Sequence, residues 1–423
     1  MKIAHLSDLH ITEGPRLDDQ RAVLAHILGN LGEQRPALIL ITGDIYGRTV
    51  PHRSTPAERA VFFPFVRALS KLAPVVILYG NHDYEGDLEP LETVGARHPV
   101  RVVSRAERFV VNTPAGPAWL YCLPYPTKRW ILAGGDAPRG LAEQQAEVER
   151  RLGDLLQTWA QAIRAKRAGA DDDGEGEEDA LTAPHILLAH LQVGGSLTSG
   201  GEVLAGQEIE LSAAQLGELP IDYGALGHLH LRQSPALRCW YAGSAWRQDF
   251  GELDAKGYQI ATLGTALGPD GRLPLAVEHV RTPCRTFITL TYRWAADSDD
   301  GAPRWVIRPT DGEIAKAKDT EVRMRLTVPE QWIAGCPWVE EQARVAAAGA
   351  HRVKVERVIE PRLRVRAPKV AAAHSLADKL RAYWGTLATP PDPADQAAAL
   401  LGLDELQTRD DAQIAADTRD LIG

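Results

Sequence analysis

"VVILYGNHD" (75–83) is an apolar run stopped by a glycine and followed by an amide, an imidazole and a carboxylate. An unbroken apolar run of this length reads as a strand buried on both faces. Upstream, "KIAHLS" (2–7) and "ALILITG" (37–43) read the same way, and residues 18–34 and 57–72 between the three runs carry helical patterns. Strand, helix, strand, helix, strand is the signature of α/β architecture with right-handed crossovers. Further strands are expected at about 100–104, 107–112, 118–123, 185–191, 223–228, 237–242 and 257–263, with a long helix over 141–168.

Polar residues gather where these runs end. The first ends in "SDLH" (Asp8, His10), the second in "TGDIY" (Asp44) and the third in "YGNHD" (Asn81, His82, Asp83). "LLAHL" then supplies His190, and "GALGHLH" supplies His228 and His230. In extended chain, residues i and i+2 point the same way, so Asp8 with His10, and His228 with His230, each aim at one point. Open α/β sheets bind ligands beyond the carboxyl ends of their strands, which lets all five motifs meet at one rim. Gly43 and Gly80 directly precede motif residues, where a sharp turn or close approach needs no Cβ. Asp8, His10, Asp44, Asn81, His190, His228 and His230 make seven candidate ligands, more than one tetrahedral ion needs. Two ions about 3.5–4 Å apart and sharing a carboxylate is the economical reading, and such a pair clamps both oxygens of a phosphoryl transfer. Oxygen and nitrogen donors without thiolates suit Mn²⁺, Fe²⁺ or Zn²⁺.

The chain has 423 residues, enough for two or three domains, and 44% hydrophobic and 24% charged residues, as in an ordinary globular protein. Cys122, Cys239, Cys284 and Cys336 are scattered without a C-x-x-C pair, which argues against a zinc ribbon or a disulfide scaffold and fits a reducing cytoplasm. No apolar run reaches membrane-spanning length, and the N-terminus lacks the apolar core of a signal peptide. The net charge of −9 argues against a general basic surface for nucleic acid, so any action on DNA needs bound cations, a local patch or a partner. "PTKRW" (126–130) offers such a patch, with Lys128 and Arg129 for phosphates and Trp130 for stacking, or is a plain exposed loop.

"DDDGEGEED" (171–179), within an acidic loop over 169–180, cannot bury enough surface to offset its ordering entropy and reads as a solvated insertion. From about 264 the character changes. A hairpin is followed by strands at 285–292, 321–328 and 351–360 around a helix at 338–350. Residues 371–387 and 395–407 then read as helices broken by "ATPPDPA". The expected organisation is a catalytic domain over 1–279, a small α+β cap over 280–362 and a helical hairpin over 363–423. Leu380, Tyr383, Trp384 and Leu387 share one face of the first terminal helix and could serve a partner or pack on the cap.

D-x-H, G-D, G-N-H-D, a lone His and G-H-x-H, in this order, resemble the calcineurin-like metallophosphoesterases. "YAGSAWRQDFGELDAKGYQIATL" (241–263) resembles the segment closing the nuclease domain of SbcD-type exonuclease subunits. "VKVERVIEPRLRVRAP" and "SLADKLRAYW" resemble their downstream part. The resemblance implies a two-sheet β-sandwich flanked by helices, with a cap domain and partner-binding helices. It implies one ion on Asp8, His10 and His230, the other on Asn81, His190 and His228, and Asp44 as bridge. His82 would stabilise the transition state or protonate the leaving oxygen, with Asp83 orienting it. It further implies Mn²⁺-dependent exonuclease activity, single-strand endonuclease activity as a second mode, an SbcC-type SMC-like ATPase partner and a homodimer through the nuclease domain. The setting would be cytoplasmic and nucleoid-associated, in DNA repair or recombination. Some members carry a histidine three residues beyond the bridging aspartate, where this chain has Gly47, and His52 is a nearby substitute. Two alternatives stay open: a small-molecule or cyclic-nucleotide phosphodiesterase with the same site, and a non-catalytic repair scaffold whose metal site is vestigial.

Overall fold

A computed structural model describes residues 1–47, 53–132, 140–169, 182–200, 202, 209–296, 301–361 and 368–408. The first half runs β1 (Lys2–Leu6), α1 (Leu17–Gln34), β2 (Leu38–Thr42), α2 (Pro56–Leu69), β3 (Val75–Leu78), β4 (Val100–Val103), β5 (Glu107–Thr113) and β6 (Gly116–Leu123). After α3 (Lys128–Ile131) and α4 (Leu141–Arg167) come β7 (His185–His190), β8 (Gln192–Val193), β9 (Glu210–Leu211), α5 (Ala213–Gly217) and β10 (Tyr223–Gly227). Then follow β11 (Gln233–Ala236), β12 (Cys239–Tyr241), β13 (Gly257–Leu263) and β14 (Leu275–Arg281).

These strands build two six-stranded sheets, ordered β14-β13-β1-β2-β3-β4 and β11-β12-β10-β7-β6-β5. In each, four consecutive strands are parallel: β1 to β4, with β4 at the edge, in one, and the central β6, β7, β10 and β12 in the other. The pleat divides the apolar runs. Leu38, Leu40, Val76 and Leu78 meet Leu120, Cys122, Ile186 and Leu188 between the sheets. Their neighbours Ile39, Ile41, Val75 and Ile77 face outward onto Val23, Leu24 and Ile27 of α1 and Val61, Phe62 and Phe65 of α2. On the other side, α4 buries Val148, Leu152, Leu156, Trp159 and Ile163, a four-and-three spacing, against Tyr121, Leu187 and Ala189. The fold is therefore a helix-flanked two-sheet sandwich, as the family resemblance implied. Helix α2 starts where "STPAE" says it should: Thr55 caps the Glu58 N–H, and Glu58 returns a bond to the Thr55 N–H. Such a box contributes about 1 kcal/mol. The 264–280 hairpin folds back, with β14 pairing antiparallel to β13 at the edge of the first sheet.

The chain divides into two compact units: Met1–Thr291 with Pro309–Arg325 and Trp338–Glu356, and Tyr292–Arg308 with Leu326–Pro337 and Arg357–Gly423. The later strands β15 (Phe287–Ala295), β16 (Arg304–Ile307), β17 (Glu321–Pro329) and β18 (Arg352–Glu360) form a four-stranded sheet ordered β16-β15-β17-β18. Within the second unit, Trp305 packs edge-on to Tyr292 and Trp294, and Arg293 makes a bidentate pair with Glu360. No helix among the described residues is long and apolar enough to cross a membrane. Cys122, Cys239 and Cys336 are buried free thiols.

Two histidines are built into this core in neutral form. His5 lies between the sheets, bonded to the Tyr223 hydroxyl at 2.8 Å and Thr42 Oγ1 at 3.0 Å. Burial lowers it to about 3, against a weak opposing bond to Leu226. His185 is also lowered to about 3, by burial first and then by Arg167 and Lys166. Both folded values lie below the unfolded value, so the stability is whole above about pH 6.5 and is lost as pH falls towards 3. Each histidine contributes a slope of about 1.4 kcal/mol per pH unit in that window. We expect His5→Gln to flatten the pH dependence of urea unfolding by that amount between pH 6 and 4. An unchanged slope would show that His5 titrates normally in the native state.

Candidate metal centre

All five motifs converge where the carboxyl ends of β1, β2 and β3 face those of β7 and β10. The loops leaving β1 and β2 stay in register: the Asp8 N–H donates to the Gly43 carbonyl, His10 to Asp44 and Ile11 to Ile45. Asp83 staples the next loop to them, with Oδ1 accepting from Ile45 N–H at 2.9 Å and Tyr46 N–H at 3.3 Å, and Oδ2 from Gly80 N–H at 2.9 Å. Asp83 is thus buried and engaged with backbone, which is neither a solvated turn nor a bare contact to His82. Burial, then the Asp44 carboxylate, push its carboxyl up, to about 7.

Asp44 sits at the centre. Its Oδ1 is 3.4 Å from His190 Nε2 and accepts the His82 N–H at 3.0 Å. Its Oδ2 is 3.6 Å from His10 Nε2 and 4.0 Å from His82 Nε2. Asn81 Oδ1 is 3.0 Å from His190 Nε2 and 3.1 Å from His228 Nδ1. His230 Nε2 lies 2.9 Å from His10 Nε2, and Asp8 Oδ1 accepts the His228 N–H at 3.1 Å. Among the described residues three groups could hold a metal ion: Asp8, His10 and His230; His10, Asp44 and His82; and Asp44, His190 and His228. The structure brings together all seven expected ligands and adds His82 to their neighbourhood.

The donor chemistry calls for cations. His190 Nδ1 is 2.6 Å from the Thr42 carbonyl, which can only accept, so Nδ1 carries the proton. In the neutral ring Nε2 is then a lone pair, aimed at Asn81 Oδ1 and Asp44 Oδ1, which are acceptors too. Lone pairs converging without a proton need a positive charge between them. Burial opposes ionisation of Asp44, but His190, His10 and His82 outweigh it and hold the carboxyl well below the usual range. Burial likewise works against protonated His190, yet Asp44 pushes the group up, to about 9, so that with no metal ion bound a proton on Nε2 is the positive charge that meets these acceptors. His10, by contrast, is lowered to about 4, chiefly by burial.

The backbone is strained here. Asp8, His10, Asp44 and His228 are four of the seven described non-glycine residues with positive φ. Each costs on the order of 1–3 kcal/mol, and packing must hold it there. Gly80 is required because a Cβ would run into the Asp44 carboxylate, and Gly43 because one would meet the His190 ring. Gly47 is closed as well: a Cβ would come within 2.6 Å of the His10 carbonyl oxygen, so this backbone admits no histidine there. His52 lies outside the described residues, as does the acidic tract 171–179.

One partner has no motif to announce it. Glu252 Oε1 is 2.6 Å from His230 Nδ1 and buried, in the loop between β12 and β13. The aromatic Tyr125 also stands at the site, its ring centroid 5.6 Å from that of His228 and 6.2 Å from that of His190. Away from the centre, Trp130 is half-buried against the core beneath α4, and the Lys128 and Arg129 side chains lie outside the described residues. Three further helices are α6 (Asp311–Ala315), α7 (Trp338–Ala347) and α8 (Pro368–Ala372). The terminal pair follows as α9 (Leu376–Trp384) and α10 (Pro393–Thr408). On α9, Trp384 is buried at 7% exposure and Tyr383 is 50% exposed, while Leu380 and, just beyond the helix, Leu387 are half-buried.

The family described as calcineurin-like phosphoesterase matches residues 1–232. Solved structures similar to the chain include these two. GAP50, the anchor in the inner membrane complex of Plasmodium, is 11% identical over 85% of this chain and 97% of its own, with a TM-score of 0.37. The phosphopantetheinyl hydrolase of Mycobacterium tuberculosis is 15% identical over 57% of this chain and 86% of its own, with a TM-score of 0.29.

Proposed function

The chain belongs to the calcineurin-like phosphoesterases, and from that membership we propose that it is a two-metal DNA nuclease, the SbcD-type subunit of a complex with an SbcC-type SMC-like ATPase. The observation carrying the hydrolytic part is Asp44, whose Oδ1 faces His190 while its Oδ2 faces His10. A carboxylate presenting one oxygen to each of two imidazole groups is suited to bridging two ions. Asp8, His10 and His230 would hold one, and Asn81, His190 and His228 the other. Bound there, divalent ions, Mn²⁺ first with Fe²⁺ or Zn²⁺ as alternatives, would supply a nucleophile from water and neutralise the scissile phosphate.

The protein's own residues do the rest. His82, at the edge of the centre, gives a proton to the leaving oxygen or stabilises the transition state. Asp83 fixes the loop that carries His82. The DNA assignment rests on the segment that closes the phosphoesterase domain, 241–263, and on 353–368 and 375–384 downstream of it, which resemble those of SbcD-type subunits. Leu376, Tyr383 and Leu401 stand exposed on α9 and α10 and support a partner surface. With a net charge of −9, the nuclease leaves most of the DNA grip to the ATPase, and two copies pair through the phosphoesterase domain.

The test is digestion of labelled linear duplex and single-stranded circle with Mn²⁺, with and without the co-expressed ATPase. Chelator-sensitive cleavage of DNA, stimulated by the ATPase on duplex ends, is expected. Turnover of a small chromogenic phosphodiester without cleavage of either DNA would make the chain a small-molecule phosphodiesterase. No turnover of either, with two ions bound, would leave a scaffold.

A further inference from the structure

The segment 241–263 holds a loop whose role the ligand set does not explain. In it, Glu252 and Lys256 are both buried, at 5% and 2% exposure. We infer that Glu252, locked by Lys256, is a positioning residue that sets the metal affinity of one half of the centre, the Asp8, His10 and His230 half. The inference rests on the two-metal reading above.

The Glu252 carboxylate has no freedom. Its Oε1 faces His230 Nδ1 at 2.6 Å. Its Oε2 accepts the Gln248 N–H at 2.9 Å and lies 2.9 Å from Lys256 Nζ. Lys256 is held in turn by the His230 carbonyl at 3.2 Å and the Asp254 carboxylate at 3.2 Å. The loop itself is tied by Arg247, which donates to the Glu252 and Asp254 carbonyls, and by Arg16, which donates to those of Arg247 and Gln248. A carboxylate can only accept, so it holds the proton of His230 on Nδ1 and leaves the Nε2 lone pair facing the centre, 2.9 Å from His10 Nε2.

The other half is oriented by different means. His190 Nδ1 donates to the Thr42 carbonyl, a backbone group at the end of the central strand β2. One half thus rests on an ionised side chain carried by a loop and the other on neutral backbone in the core. A carboxylate behind a ligating imidazole raises its basicity, and losing such a partner costs about 10–100-fold in metal affinity. The asymmetry makes the effect selective for one ion.

Glu252→Gln removes the charge with little change of shape. Two-step Mn²⁺ titration by calorimetry, with electron paramagnetic resonance of the bound ions, reads the result without any turnover. The expected outcome is one step weakened about 10–100-fold and the other within about twofold. The spin-coupled pair signal should give way to a single-ion signal at intermediate Mn²⁺. Glu252→Asp, which keeps the charge near Lys256 but withdraws it from His230, should weaken the same step and covers the case in which the glutamine variant fails to fold. Both steps weakening together, with a lower melting temperature, would make Glu252 a general structural residue and overturn the inference, as would two unchanged steps. A wild-type protein that binds fewer than two ions would instead overturn the two-metal reading itself.

Discussion

Asp44→Asn is expected to lose both ions together and to lower phosphodiester hydrolysis on the order of 10³-fold, about 4 kcal/mol of transition-state stabilisation. The substitution keeps the shape. It also suits the backbone, because Asp44 has a φ of +53° and asparagine tolerates that region as well as aspartate does. What disappears is the single negative charge whose two oxygens face His190 and His10. Without it the first half keeps one carboxylate, Asp8, and the second keeps only the neutral donors Asn81, His190 and His228. Two dications brought close then repel each other across an amide that neutralises neither. Metal analysis of the purified variant, by inductively coupled plasma mass spectrometry after gel filtration, decides the point. Two ions at full occupancy would show that Asp44 does not link them.

How much of this was legible in the sequence follows from range. The runs ending at Thr42 and Leu78 were readable because each is buried on both faces, and burial on both faces leaves an unbroken apolar string. The ligands were readable for a related reason: each closes such a run, so parallel strands deliver them to one edge. Which strands become neighbours was not readable. β13, some 250 residues on, returns antiparallel beside β1, with Lys2 opposite Thr262, and nothing local to either strand encodes the pairing. Glu252 was silent because a carboxylate that serves an imidazole through space carries no spacing rule. For Asp83 the role beside His82 was legible, but the contacts through which it acts were not. Its neighbour in sequence is His82, yet its oxygens reach the backbone of Ile45, Tyr46 and Gly80. On α9, residues 383 and 384 are one helical step apart, about 100° around the axis, so Trp384 turns inward while Tyr383 stays in solvent. A sequence reading that counts both on one face overstates the width of that face.

His82→Gln is expected to keep two ions and lower hydrolysis about 10²–10⁴-fold, the range a positioned acid or base contributes. The geometry allows a rival role, because His10, Asp44 and His82 themselves form a group that can hold a metal. One observation favours an acid over a ligand. Of the three imidazoles that face the Asp44 carboxylate, His82 is the farthest, with Nε2 at 4.0 Å against 3.6 Å for His10 and 3.4 Å for His190. The loop, moreover, is fixed through the main chain of residue 82, whose N–H donates to Asp44 Oδ1, a bond glutamine retains. The ligand set should therefore stand undisturbed in the variant, and the loss should fall on the chemical step. Substrates separate the two roles further. A phosphodiester with a good leaving group, such as a nitrophenolate, needs little protonation, so its hydrolysis should suffer far less than that of DNA. An equal loss on both substrates, together with one missing ion, would make His82 a ligand and remove it as the acid.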